Sequence, residues 1–339
     1  MPPVSPAAQR RVPWWMWPNV LSLDAPVVAV LWQAALARVS GVALPEGCHL
    51  ALGLAVWLIY MVDRVLDGFS MGEQPVKTMR HAFYQRYRWY FVFGVLPLGT
   101  LALGWVSLTA IPEGILWRGV GLSFVVGMYL LHYAARGHSA IYLAGNALTC
   151  VLGAFFIWSL PLPLTFKLFF SSLLLGLTLI SVGGRSTQGF RFLPKEALCG
   201  YIFAIGCSMS VHFYSLDKLA DPISPETLLL ALLCTLNCIA IACYERETDV
   251  YGDRNAITQT WPLVARFYPA LLVLLILGLS YLLTRASWVA LPLYTLAVLA
   301  SLLLLGGVHL LAKRFSPEFS HVLADLAVAL PMIAVLVWG

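Results

Sequence analysis

The sequence predicts an all-α, polytopic helical membrane protein. Three observations lead there. Sixty per cent of the residues are hydrophobic and only 11% are charged, whereas soluble domains carry about 25% charged residues. Mean hydropathy is +0.83, and apolar stretches long enough for a hydrocarbon core of roughly 30 Å recur from about residue 25 onward. Short segments of period-two alternation are absent, so the spanning elements are helices rather than barrel strands.

Helices are expected over 25–43, 49–67, 89–110, 115–136, 139–160, 164–183, 196–215, 227–249, 268–284, 288–311 and 318–338. Ahead of the first lie Pro2, Pro3, Pro6, Arg10 and Arg11, then Trp14, Trp15 and Trp17. This stretch lacks the apolar core and cleavage site of a signal peptide, and its tryptophans suit an interfacial anchor. Asp24 in SLDAP precedes the first apolar run as a helix cap or a neighbour of one. Arg38, near that helix's outer end, can snorkel to the interface. The second helix ends in the acidic YMVDRVLDG, followed by the longest polar connection, 68–88. That basic and aromatic stretch reads either as a cap over a site or as an ordinary positively charged loop. A PLP turn at 161–163 joins the helices on either side, and the acidic LDKLADPISPET at 216–227 leads into the helix that ends in YERETDVYGD. His132, Asn146 and Asn237 fall inside spans, where interhelical hydrogen bonds are the usual explanation. Asn237, two turns before Glu245, also suits a substrate-binding pocket wall.

Charge sets the orientation. Arg10/Arg11, Lys77/Arg80/Arg86/Arg88, Arg136, Arg185/Arg191/Lys195, Arg246/Arg254/Arg266 and Lys313/Arg314 fall on one side, while 46–49, 111–114, 161–163 and 216–227 are poor in Lys and Arg. The positive-inside rule puts the N-terminus and both acidic segments on the cytoplasmic side. The same pattern accounts for the net charge of +5 without nucleic-acid binding. The seven cysteines have no CxxC spacing and read as small buried hydrophobes. The expected domains are a cytoplasmic N-terminal segment, 1–23, and one transmembrane domain, 24–339.

The chemistry is in the acids. Asp63 and Asp67, and Glu245, Asp249 and Asp253, stand four residues apart. On a helix each set shares one face, with Cβ atoms roughly 5–6 Å apart. Ionised groups at membrane depth cost about 2.5–3.5 kcal/mol or more each, so a cation is expected to compensate them. Magnesium takes oxygen ligands and often binds through a few carboxylates plus substrate phosphate. Such ions would stabilise charge on a departing diphosphate, and aromatic faces would stabilise the allylic cation left behind. The competing reading is local pairing, Asp63 with Arg64 or Lys77 and Asp253 with Arg254.

These segments resemble the UbiA superfamily of intramembrane prenyltransferases, which carry NxxxDxxxD at the end of the second helix and DxxxD at the end of a later one. VDRVLDG is similar to the first motif and DVYGDR to the second, and LPKEALCGYIFAIGCSMS resembles the start of the preceding helix. The family's Asn four residues before the first Asp is Ile59 here, and a Gly common after the second motif is Ile257. The resemblance implies a bundle of about 9–11 transmembrane helices around a central cavity, with a place for a two-helix insertion around 115–160. It also implies Mg²⁺-dependent transfer of an isoprenyl group from a prenyl diphosphate to a lipophilic acceptor held in the membrane. Asp63, Asp67, Asp249 and Asp253 are then the catalytic metal ligands. Glu245 extends the second row, binds a further ion or replaces the lost carboxamide, or else pairs with Arg246 or a loop cation. Lys77, Thr78 and Arg80 are the diphosphate-binding candidates, followed by Arg254, while His81 and Tyr84 read as packing residues. Alternatives are a cation-coupled carrier and a UbiA-like lipid-binding protein without transfer activity. A CDP-alcohol phosphotransferase fails on spacing, because its acids are contiguous and these are split between 63–67 and 245–253.

Overall fold

The computed structural model describes residues 12–70, 79–134, 140–183, 194–215, 221–247, 256–285 and 291–338. A 3₁₀ turn, Trp14–Met16, runs into α1 (Trp17–Val20), which meets α2 (Asp24–Val39) at 75°. Ser22, with φ of 53°, makes that corner, and its buried hydroxyl lies 3.2 Å from the Tyr84 hydroxyl. α2 stops at Gly41, whose φ of 64° costs glycine little. The amides of Gly41 and Val42 close back on the carbonyls of Arg38 and Ala37, the bond pair of a Schellman C-terminus.

α3 spans Glu46–Ser70, and α4 (Met79–Tyr90) continues through a π turn, Phe91–Val95, into α5 (Leu96–Thr109). Much of the connection expected at 68–88 is therefore helical. α4 packs against α3, with the Tyr84 hydroxyl donating to Met61 Sδ at 3.0 Å. The π turn sits where Pro97, lacking an amide hydrogen, would otherwise clash with the preceding turn. α6 (Glu113–Ala134), α7 (Ala140–Ser159), α8 (Leu164–Gly183), α9 (Lys195–Tyr214) and α10 (Pro225–Tyr244) follow. The chain closes with α11 (Ile257–Thr260), α12 (Pro262–Thr284), α13 (Pro292–Leu311) and α14 (Pro317–Trp338). Several starts carry local signals. Pro225, Pro262 and Pro292 open their helices, where a missing amide hydrogen costs nothing. The Ser224 hydroxyl caps α10 by accepting from the Thr227 amide.

All eleven expected helices occur, and no strand occurs among the described residues. Among the described residues, eight helical stretches are long and apolar enough to cross a membrane, nine if α1 and α2 form one bent span. This is the all-α architecture of an integral membrane protein. Its main apolar core joins α2, α9, α10, α13 and α14, with α12 on the outside. A second core lies among α6, α7, α8 and the flank of α9. α3 runs between them and carries α4 and α5 on another side. Leu98, Leu101, Trp105 and Leu108 on α5, and Leu274 and Leu277 on α12, point outward, as lipid-facing side chains do.

α9 and α10 approach closely because of Gly200. A Cβ there would lie 2.6 Å from the Thr235 nitrogen and 2.8 Å from the Ala231 oxygen. Small residues permit this kind of helix contact in membranes.

Candidate functional site

Six helix ends bring polar side chains to one end of this apolar bundle. The C-terminal half-turns of α3 supply Asp63, Arg64 and Asp67, and the start of α4 supplies Arg80. Lys195 opens α9, Glu245 caps the end of α10, and Asp24 opens α2. His321 and Asp325 lie in the first turns of α14.

Arg80 is 5% exposed, and its Nη2 lies 3.8 Å from Glu245 Oε1. His321 Nδ1 lies 3.1 Å from the same oxygen. On its other side His321 Nε2 lies 3.4 Å from Asp325 Oδ2. Asn237 Nδ2 donates to Asp325 Oδ1 at 2.9 Å. Asp24 accepts from Asn19 Nδ2 at 2.6 Å and from the Ala25 amide at 3.0 Å. Arg64 interacts electrostatically with Asp63, Asp67, Glu245 and Asp24, and Asp67 with Arg64, Lys195 and Arg80. The first acidic segment and Glu245 thus meet across two guanidinium groups.

Burial alone would raise the Glu245 carboxyl. Arg80, then the His321 hydrogen bond and the charges of His321 and Arg64, outweigh it and hold the group well below the usual carboxylate range. Burial and the like charge of Arg64 pull Arg80 down, opposed by Glu245, Asp24 and Asp67. The side chains of Glu245 and Asp325 remain 14% and 18% accessible, so the cluster is not sealed.

Of the residues singled out in the sequence, Asp63, Asp67, Arg80, Asn237 and Glu245 belong to this end of the bundle. Lys77, Thr78, Asp249, Asp253 and Arg254 lie outside the described residues, as do the side chains of His81, His132 and Asn146. The helix expected to reach residue 249 breaks at Glu245 (ψ 8°), and Arg246 and Glu247 are helical again beyond the break. Arg80 and His321 hold the Glu245 side chain at this break, where it caps α10. Ile59 packs on the second apolar core and supplies no polar ligand. Asp24 stands beside the helix cap, as expected, and also faces His321 and Asp325. Those two residues escaped the sequence reading. Their signal was the four-residue spacing in HVLAD near the start of an apolar run.

Glu196 plays a different part. Its Oε1 accepts from the Ile257 amide at 2.8 Å, tying the start of α9 to the start of α11.

No protein-family model, no curated protein and no solved structure matches the chain.

Proposed function

We propose that the protein is a Mg²⁺-dependent prenyltransferase, moving an isoprenyl group from a prenyl diphosphate to a lipophilic acceptor within the membrane. One observation carries this reading: Asp63 and Asp67 of α3 and Glu245 of α10 all interact with Arg64, Asp67 and Glu245 also with Arg80, and Asp67 with Lys195. Carboxylates for a divalent ion beside cations for phosphate oxygens are what diphosphate binding needs. Asp63 and Asp67 would hold magnesium, joined by Asp249 and Asp253 as the resemblance implies. Arg80, with Lys77, Thr78 and Arg254, would bind the diphosphate. When bound, the metal supplies Lewis-acid stabilisation of the leaving diphosphate. The cationic residues around the site support a cytoplasmic location by the positive-inside rule.

The test is thermal stability of the purified protein with non-hydrolysable prenyl diphosphate analogues, with and without Mg²⁺. Magnesium-dependent stabilisation in the wild type, lost in folded Asp67→Asn, is expected. Absence of stabilisation across chain lengths refutes the reading. Binding without turnover on any acceptor would instead favour a lipid-binding protein, a reading that the apolar packing of Ile59 supports.

A further inference from the structure

We infer that Asp24, His321 and Asp325 form a second divalent-cation site, of the mixed nitrogen and oxygen type that takes a first-row transition metal. The site goes beyond the transferase reading and does not depend on it. One ligand atom from each residue lies within 4.8 Å of the others. Ligands of one ion with bonds of about 2.1 Å lie roughly 3.0–4.2 Å apart, so a contraction of up to roughly an ångström brings the three atoms onto one ion. The 3.4 Å between His321 Nε2 and Asp325 Oδ2 is long for a hydrogen bond. It is the spacing of two ligands sharing one ion at about 2.1 Å, roughly 3.0–3.4 Å.

The surroundings carry the argument further. A metal-binding imidazole almost always gives its other ring nitrogen to a carboxylate or carbonyl, which fixes the tautomer and aims the ligating nitrogen. Here His321 Nδ1 meets Glu245 Oε1 at 3.1 Å, leaving Nε2 to face the two aspartates from a side chain only 9% exposed. Ligating carboxylates are themselves held by outer partners. Asn237 holds Asp325 through Oδ1, and Asn19 and the Ala25 amide hold Asp24. The outer partners thus come from α1, the first turn of α2, α10 and its cap, and hold three side chains whose ligand atoms lie within 4.8 Å of one another. Asp24 and Asp325 face each other inside a membrane bundle and are poorly solvated. The His321 imidazole, ion-paired with Glu245 and Asp325, answers part of that charge. A divalent ion would take the place of its Nε2 proton, releasing that proton and supplying one charge more. Imidazole suits Zn²⁺ and other late first-row ions rather than Mg²⁺, which separates this site from the all-oxygen one at Asp63 and Asp67; Mn²⁺ serves as the spectroscopic probe. Three protein ligands also leave positions open for an oxygen atom of a bound molecule.

The test uses Mn²⁺ alone on the full chain. Electron spin-echo modulation of bound Mn²⁺ should show directly coordinated ¹⁴N in the wild type and in Asp67→Asn, and lose it in His321→Gln. Asp325→Asn and Asp24→Asn should raise the Mn²⁺ dissociation constant at least tenfold, and Zn²⁺ should compete. Each variant is checked for its monodisperse elution and thermal transition, and Asp24→Asn keeps the test decisive if a change on α14 fails to fold. Bound Mn²⁺ with oxygen ligands only, abolished by Asp67→Asn, would overturn this site and leave the transferase reading standing. Unchanged affinity in folded Asp24→Asn and Asp325→Asn would overturn it as well.

Discussion

Arg80 and Glu245 offer the sharpest test of how this end of the bundle is held. Their side chains are 6% and 14% exposed, with Nη2 and Oε1 3.8 Å apart. At an effective dielectric of about 20 that separation corresponds to roughly 4 kcal/mol of attraction. Removing one partner of a buried pair strands the other, at about 3–5 kcal/mol. Glu245→Leu strands Arg80 and also removes the acceptor facing His321, so it should cost about 3–4 kcal/mol. Arg80→Met leaves Glu245 its contact with His321 and should cost about 2–3 kcal/mol. The double variant replaces both charges with apolar groups of similar length, so its loss should fall short of the summed singles by at least ~2 kcal/mol. Chemical unfolding of detergent-solubilised protein measures all three. The folded-state depression of the Glu245 pKa adds a pH signature. Its stabilisation is fully present above the ordinary glutamate value of about 4.3. It declines as pH falls below that value toward the depressed folded one, because the unfolded state then takes up the proton first. Glu245→Gln should therefore lose less stability than wild type between about pH 5 and pH 3. Additivity within about 0.5 kcal/mol would refute the reasoning, since it would mean that the two groups do not act as a pair.

Gly200→Ala should destabilise the protein by about 1–3 kcal/mol, because the new methyl meets not only the Thr235 hydroxyl but also backbone atoms of α10, which cannot swing away. Thermal unfolding in detergent measures it, and a neutral result would show that α9 and α10 are less closely packed than described. Glu196→Ala should cost about 1–3 kcal/mol by stranding the Ile257 amide, whereas Glu196→Gln, which keeps an acceptor oxygen, should cost clearly less. Equal losses in the two variants would show that the charge, not the hydrogen bond, is what matters.

The helices were legible because each needed only its own apolar run. The site was legible where its logic was local. Asp63 and Asp67 fall on one face of one helix, and Asp24 announces a helix start. Errors came where a distant partner decided the outcome. Aliphatic residues through Tyr244 gave no reason to stop α10 before residue 249, yet Arg80 and His321, distant in sequence, hold Glu245 at the break. The stretch 68–88 looked like a loop from its charges. In the structure its later part is α4, whose buried Tyr84 anchors it to α3. His321 and Asp325, two polar residues in the last apolar run, carry no local signal of a partner. Their meaning depends on Asp24, Asn237 and Glu245, which the fold alone brings to them.

The placement of acids along the helices separates structural from functional ones. Partial positive charge at a helix N-terminus favours carboxylates there by about 0.3–1 kcal/mol, and the C-terminus disfavours them similarly. Glu46, Glu113, Glu196, Glu226 and Glu318 all occupy first turns, where they stabilise their own helices; Asp24 does the same for α2 and also faces His321 and Asp325. Asp67 stands in the last turn of α3, Asp63 one turn earlier, and Glu245 at the cap that ends α10. These three carry negative charge to negative helix ends and are poorly solvated there. Arg64, Arg80 and Lys195 answer them, but stability alone would be served better by putting the cations at those ends and omitting the acids. Natural sequences tend to break a local rule of this kind at functional sites. What supports a ligand at this end of the bundle is therefore the position of Asp63, Asp67 and Glu245 on their helices, rather than the number of acids in the chain.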